Sequence, residues 1–129
     1  MRILRGRVVR GRRLGRKLGF PTANLRVAAG ARVPRGVWRV KVSGATLGER
    51  LAVCNVGVRP TLGGTRLIAE VHIPGFRGNL YGHTLTVQFL AVIRAERKFA
   101  SLAALKEQIR RDVARPVAAL REKIKYSCR

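Results

Sequence analysis

Carboxylates are scarce in this chain. Six Asp and Glu face 28 Lys and Arg, so 129 residues carry a net charge of +22. Such a balance implies a polyanionic partner: nucleic acid, anionic lipid or a phosphorylated metabolite. Charge alone favours a small RNA-binding protein, but the seven aromatic residues (Phe20, Trp38, Phe76, Tyr81, Phe89, Phe99 and Tyr126) are scattered. A platform for stacking bases needs them clustered. Cysteine is nearly absent, with Cys54 in an apolar run and Cys128 at the tail. That usage builds neither a disulfide framework nor a zinc site and suits a reducing cytoplasm. With His72 and His83 the only histidines, no histidine triad for a metal can be assembled. No serine or cysteine stands paired with a histidine, which argues against nucleophilic catalysis. No apolar run approaches the ~18 residues of a membrane span. The opening MRILRGRVVRGRR lacks the apolar stretch of a signal peptide.

What is present is a β-rich pattern. Hydrophobic residues make up 47% of the chain, enough to argue against disorder, and the length suits one domain with a modest core. Residues 3–10 read as a short strand interrupted by Gly6, and Asn24–Val27 as extended. Val37–Val42 alternates, with Trp38, Val40 and Val42 on one face. Leu51–Val56 reads as a half-buried strand, followed by a turn from Gly57 to Thr65. Along Arg66–Ile73, Leu67, Ala69, Val71 and Ile73 oppose Ile68, Glu70 and His72. Leu85–Phe89 alternates again before the apolar run Leu90–Ile93. Short strands separated by Gly and Pro favour a small antiparallel barrel or sandwich. The character changes near Lys98. Ser101 is positioned to cap a helix carrying Leu102, Leu105, Ile109 and Val113 on its apolar stripe, with Lys106, Arg110 and Arg111 toward water. Pro116 interrupts, and Val117, Leu120 and Ile124 resume the period.

Two groups of residues carry candidate chemistry. The first is Gly11–Leu25, where Gly11, Gly15 and Gly19 lie among Arg12, Arg13, Arg16 and Lys17. Glycines spaced along a cationic loop let backbone N–H groups approach an anion. Pro21 then forces Phe20 to be extended, and Thr22 and Asn24 place a hydroxyl and an amide oxygen on one side of the segment. Two neutral oxygens beside a phosphate cradle suit Mg²⁺, which keeps waters and takes its remaining ligands from phosphates. The second is Glu70. Glu49 and Glu70 are the only carboxylates in positions 1–93. Glu49 sits in a turn, where it is expected to be solvated. Glu70 sits mid-strand between Ala69 and Val71, where it is either an outward residue ion-paired across the sheet or a general base.

The first stretch carries a resemblance. Gly15-Arg16-Lys17-Leu18-Gly19-Phe20-Pro21-Thr22-Ala23-Asn24-Leu25 resembles the GRxLGFPTANL signature of riboflavin kinases. Ala69–Ile73 resembles the family's EvHllDF segment, with Pro74 and Gly75 in place of the leucine and aspartate. Gly36-Val37-Trp38 resembles its GVY strand start, and Asn55–Thr61 its NiGxrPT turn. Leu80-Tyr81-Gly82 resembles the DLYG turn, with Asn79 for Asp, and Ile93–Phe99 the LRdExKF segment. Gln108-Ile109 and Asp112 resemble the qI..D...AR helix, although Ala114-Arg115 comes two residues early and Pro116 follows.

The resemblance implies a six-stranded antiparallel Greek-key β-barrel with a C-terminal α-helix. One domain is expected over 1–129, with the barrel to about residue 94 and a helical segment from about 100 to 126. It implies that riboflavin and ATP are converted to FMN and ADP. Thr22 and Asn24 would hold Mg²⁺ and nucleotide phosphates under a flap from Gly15 to Phe20, with Gly15, Lys17, Gly19 and Pro21 in the phosphate site. Glu70 would be the catalytic base, and Arg94 would stand at the flavin end. In many bacteria this module is the C-terminal half of a bifunctional FAD synthetase, so an adenylyltransferase domain or enzyme is an expected partner. No HxGH-type motif for that second activity is present, so the chain is expected to be a free-standing kinase or a single module. Kinase chemistry uses one or two cations, and the remaining arginines leave weak, nonspecific polyanion binding as an expectation. The alternative is a non-catalytic basic β-barrel that binds RNA.

Overall fold

Alternation of apolar and polar residues closes this chain into a barrel. The structure, a computed structural model, describes residues 2–9, 22–28, 31–44, 47–76, 78–96, 100–101, 103–112 and 114. Six strands run β1 (Arg2–Val9), β2 (Thr22–Arg26), β3 (Gly36–Ser43), β4 (Glu49–Thr61), β5 (Gly64–His72) and β6 (Thr84–Arg94). Every neighbouring pair is antiparallel, and the order β1-β2-β5-β4-β3-β6 is closed. β3, β4 and β5 follow one another as hairpins, and β6 returns to lie beside β3, which is a Greek key. Closure leaves no free sheet edge around the barrel body.

Inward positions fill the lumen. Leu25, Val40, Val42, Cys54, Val56, Val71, Leu85 and Val87 are fully buried, and Ala52 and Ala69 share that core. Each large aliphatic side chain buried there contributes ~1.5–3 kcal/mol relative to exposure. Gly6 does not interrupt β1. A Cβ at Gly6 would meet the backbone oxygen of Arg26 at 3.0 Å, so the glycine lets the neighbouring chain approach closely.

The expected turn from Gly57 to Thr65 is instead a hairpin. β4 runs on to Thr61 and β5 begins at Gly64, leaving Leu62-Gly63 as the loop, with Gly63 at a φ of 89°. β3 pairs with β4 only as far as Gly36↔Val56, so among the described residues the arm 57–61 has β5 on one side and no strand on the other. Pro60 is tolerated there because it owes no ladder bond on the open side. Glu49 likewise belongs to β4 rather than to the preceding turn. It is exposed, 3.9 Å from Lys41 Nζ.

A helix, α1 (residues 103–112), follows the barrel. Ser101 Oγ accepts a bond from Ala104 N at 3.1 Å, the expected cap. Ile109 is buried, and Lys106, Arg110 and Arg111 are exposed. Leu102, Val113 and the second helical piece around Val117, Leu120 and Ile124 lie outside the described residues. No described helix is long and apolar enough to cross a membrane.

Candidate functional site

Strand register brings residues far apart in sequence into one patch on the outer wall. Asn24 of β2 is the cross-strand partner of Glu70 in β5, Glu70 of Asn55 in β4, Asn55 of Val37 in β3, and Val37 of Arg94 in β6. The next row holds Thr22, His72, Val53 and Arg39. Strands lie about 4.8 Å apart, so Thr22, Asn24 and Glu70 are immediate neighbours. Arg94 stands roughly 14 Å from Glu70 along the wall, three strand spacings on.

Glu70 is held by an arginine. Arg59 Nε donates to Glu70 Oε1 at 3.0 Å, and Arg59 Nη1 donates to Glu96 Oε1 at 2.7 Å and to the Val58 carbonyl at 3.1 Å. The three side chains are only 24–30% exposed. Burial disfavours the charge of Arg59, but Glu70 and Glu96 outweigh that effect and raise its pKa above the ordinary value. Glu96 reaches Arg59 because its carboxylate lies over Gly57, in the space a Cβ would occupy. Of the two readings of Glu70, the cross-sheet ion pair is therefore present. It does not consume the carboxylate, since among the described residues Oε2 takes no hydrogen bond.

At the far end of the row, Arg94 is bound to the helix. Its Nε lies 3.1 and 3.2 Å from the two Asp112 oxygens, and its Nη2 2.7 Å from Oδ2. Gln108 Nε2 donates to Asp112 Oδ1 at 2.9 Å. Asp112 is 2% exposed, and this charge-assisted network fastens α1 to the end of β6. Val37, Val53 and His72 point outward on this wall yet are buried, outside the lumen cluster. Burial pushes the His72 imidazole down to about 4; Asp112 opposes that shift and Arg94 adds to it. Its Nδ1 and the Oδ1 of Asn55 are buried without hydrogen-bond partners.

The wall thus unites Thr22, Asn24 and Glu70, and sets Arg94 apart from them. Gly15, Lys17, Gly19 and Pro21 lie outside the described residues. Among the described residues no three His, Cys, Asp or Glu cluster to hold a metal. The donors at hand are a hydroxyl and an amide oxygen beside one carboxylate. They fit a hard cation that keeps its waters and draws on phosphate oxygens, rather than one that needs a protein cage. Sequence reasoning missed Arg59, Glu96 and Asn55. A strand running through Gly57 would have revealed two of them, because Asn55, Gly57 and Arg59 alternate onto the face of Glu70.

A riboflavin kinase (flavokinase) family model matches residues 2–120. The bifunctional riboflavin kinase/FMN adenylyltransferase of Haemophilus influenzae is 45% identical over 109 residues, covering 84% of this chain and 35% of that one. Its counterpart in Escherichia coli K12 is 46% identical over 109 residues, covering 83% and 34%. The RNA-binding riboflavin kinase RibR of Bacillus subtilis is 41% identical over 117 residues, covering 88% and 49%. A solved chain from Streptococcus pneumoniae, described as a macrolide-efflux protein, superposes with a TM-score of 0.76 at 36% identity, covering 85% of this chain and 36% of that one. This chain therefore spans about a third of the length of the two bifunctional relatives.

Proposed function

The chain belongs to the riboflavin kinase family, and from that membership and the geometry of the wall we propose that it phosphorylates riboflavin with ATP. The ribityl 5′-hydroxyl oxygen forms a bond to the γ-phosphorus as the bond to the β,γ-bridging oxygen breaks, giving FMN and ADP. The observation that carries this reading is the register Asn24↔Glu70. It sets the sole carboxylate of that row beside hard-oxygen donors, at the exit of the glycine- and arginine-rich segment 11–21. Glu70 orients the hydroxyl and takes its proton. Thr22 and Asn24 hold Mg²⁺, which when bound neutralises charge on the phosphates, and Gly15, Lys17, Gly19 and Pro21 belong to the phosphate site. Arg94, fixed by Asp112, supplies a cation at the flavin end. An FMN adenylyltransferase domain or enzyme is the proposed consumer of the product.

Purified chain, riboflavin, ATP and Mg²⁺ are incubated, and the flavins are separated by chromatography. FMN and ADP are expected in equal amounts, with no FAD from these 129 residues. Absence of FMN overturns the kinase reading, and an FAD peak overturns the limit to a single activity.

A second reading, RNA binding, is favoured by a separate observation. Arg5, Arg7, Arg26 and Arg66 are exposed on β1, β2 and β5, and among the described residues no carboxylate pairs with them. The name of the Bacillus subtilis relative includes RNA binding. This wall is a secondary electrostatic surface beside the kinase site.

A further inference from the structure

Two of the chain's six carboxylates converge on one guanidinium, although 28 cations compete for them. Arg66, the cross-strand partner of Arg59, is exposed. The convergence is built by three separate elements. Glu70 comes from near the C-terminal end of β5, Arg59 from the projecting arm of β4, and Glu96 from the chain just past β6. Gly57 is required beneath it, because any side chain there would fall on the Glu96 carboxylate. The bonds are also divided asymmetrically. Glu96 accepts the shorter bond at 2.7 Å, and Glu70 the longer at 3.0 Å through a single oxygen. Glu96 thus anchors the guanidinium while Nε steers one oxygen of Glu70. A planar fork can do both at once, whereas an ammonium acts as a point charge.

We propose that Arg59, anchored by Glu96, is the positioning residue of the kinase site: it fixes Glu70 Oε1 so that Oε2 is presented to the attacking hydroxyl. This rests on the reading of Glu70 as the base. Arg59 touches neither substrate nor phosphate in this role. Its effect passes through the orientation of Glu70, and misplacing a reacting group by about an ångström costs roughly 10²-fold in rate.

The test is a kinetic double-mutant cycle on the full chain. Riboflavin binding is followed separately by quenching of flavin fluorescence, and folding by the melting temperature. The variants are Arg59→Ala, Arg59→Lys, Glu96→Gln, Glu70→Gln and Arg59→Ala with Glu70→Gln. Arg59→Ala is expected to lower kcat by roughly 10²-fold, with riboflavin affinity and the KM for ATP little changed. Arg59→Lys should recover only part of that loss, and Glu96→Gln should show a smaller loss of the same kind. The double variant should be no slower than Glu70→Gln alone, because Arg59 acts only through Glu70. A crippled Glu70→Gln beside a normal Arg59→Ala overturns the positioning role and leaves the base intact. Full additivity in the double variant, or full activity in Arg59→Lys, overturns it as well. A normal Glu70→Gln removes the base reading itself, and this inference with it. Where Arg59→Ala fails to fold, Glu96→Gln decides, and a wild-type kcat there sinks the proposal.

Discussion

At the scale of single residues, His72 carries a measurable consequence of burial. Its ring points outward from β5 but is covered on the wall that Asp112 and Arg94 occupy, and its Nδ1 has no partner. Desolvation disfavours the imidazolium and brings the folded pKa to about 4, against 6.5 in the unfolded chain. The unfolded state therefore binds more protons between these values. The stability contributed by neutral His72 is fully present above pH 6.5 and is lost as the pH falls through about 4. A gap of that size corresponds to about 3 kcal/mol over the window. Urea unfolding of wild type in metal-free buffer should lose stability steeply from pH 7 to pH 5. His72→Gln should be less stable at neutral pH but show a shallower slope over that interval. Equal slopes would mean that His72 does not titrate in this range. Cys54 is a contrasting residue. Burial, with the nearby Glu70 charge, raises its thiol pKa far above the ordinary value, so it is an inert core side chain rather than a nucleophile.

At the scale of elements, glycines separate into those that meet backbone and those that meet a movable side chain. A Cβ at Gly6 would press on the Arg26 carbonyl and the Leu25 Cβ, at 3.0 and 3.3 Å. Neither can swing away without shifting β2. Gly6→Ala is therefore expected to cost ~1–3 kcal/mol by overpacking. At Gly57 the obstruction is the Glu96 carboxylate, the end of a flexible side chain. Gly57→Ala should displace Glu96, forfeit its partly exposed ion pair with Arg59, worth up to about 1 kcal/mol, and leave the barrel standing. Denaturation midpoints of the two variants check the order, and a costlier Gly57→Ala would contradict it. These glycines also mark what could be read from the sequence. Val37–Val42, Arg66–Ile73 and Leu85–Phe89 declared themselves by alternation, and Ser101 by its place before an apolar helical stripe. The arm 57–61 did not, because Gly57, Pro60 and Gly63-Gly64 have the composition of a loop. It is extended because β5 pairs with it on one side, a long-range fact that composition does not carry. Thr22, Asn24 and Glu70 stood out by residue type and spacing. Arg59 did not, because its partners lie 11 and 37 residues away and meet it only when the barrel closes.

At the scale of the whole molecule, the carboxylates among the described residues are spent locally. Glu70 and Glu96 share Arg59, Asp112 holds Arg94, Glu107 pairs with Arg110 and Arg111, and Glu49 lies near Lys41. The arginines of β1, β2 and β5 are left to solvent. Arg5 and Arg7 lie two residues apart on one face of β1, and Arg26 follows on the adjacent β2, so their charges add over one wall. Such a field attracts any polyanion, with a salt dependence set by the number of phosphates neutralised. Single-stranded RNA and DNA homopolymers are expected to bind alike and weakly, losing affinity steeply between 50 and 200 mM salt. Replacing Arg5, Arg7, Arg26 and Arg66 together by serine removes four contacts. The slope of log K against log salt should then fall by roughly 3, from a contribution of ~0.7 per phosphate on a single strand. An unchanged slope would place the binding elsewhere on the chain. Tight, sequence-selective binding that survives 200 mM salt would require base recognition and would make RNA a specific partner rather than a counterion of this wall.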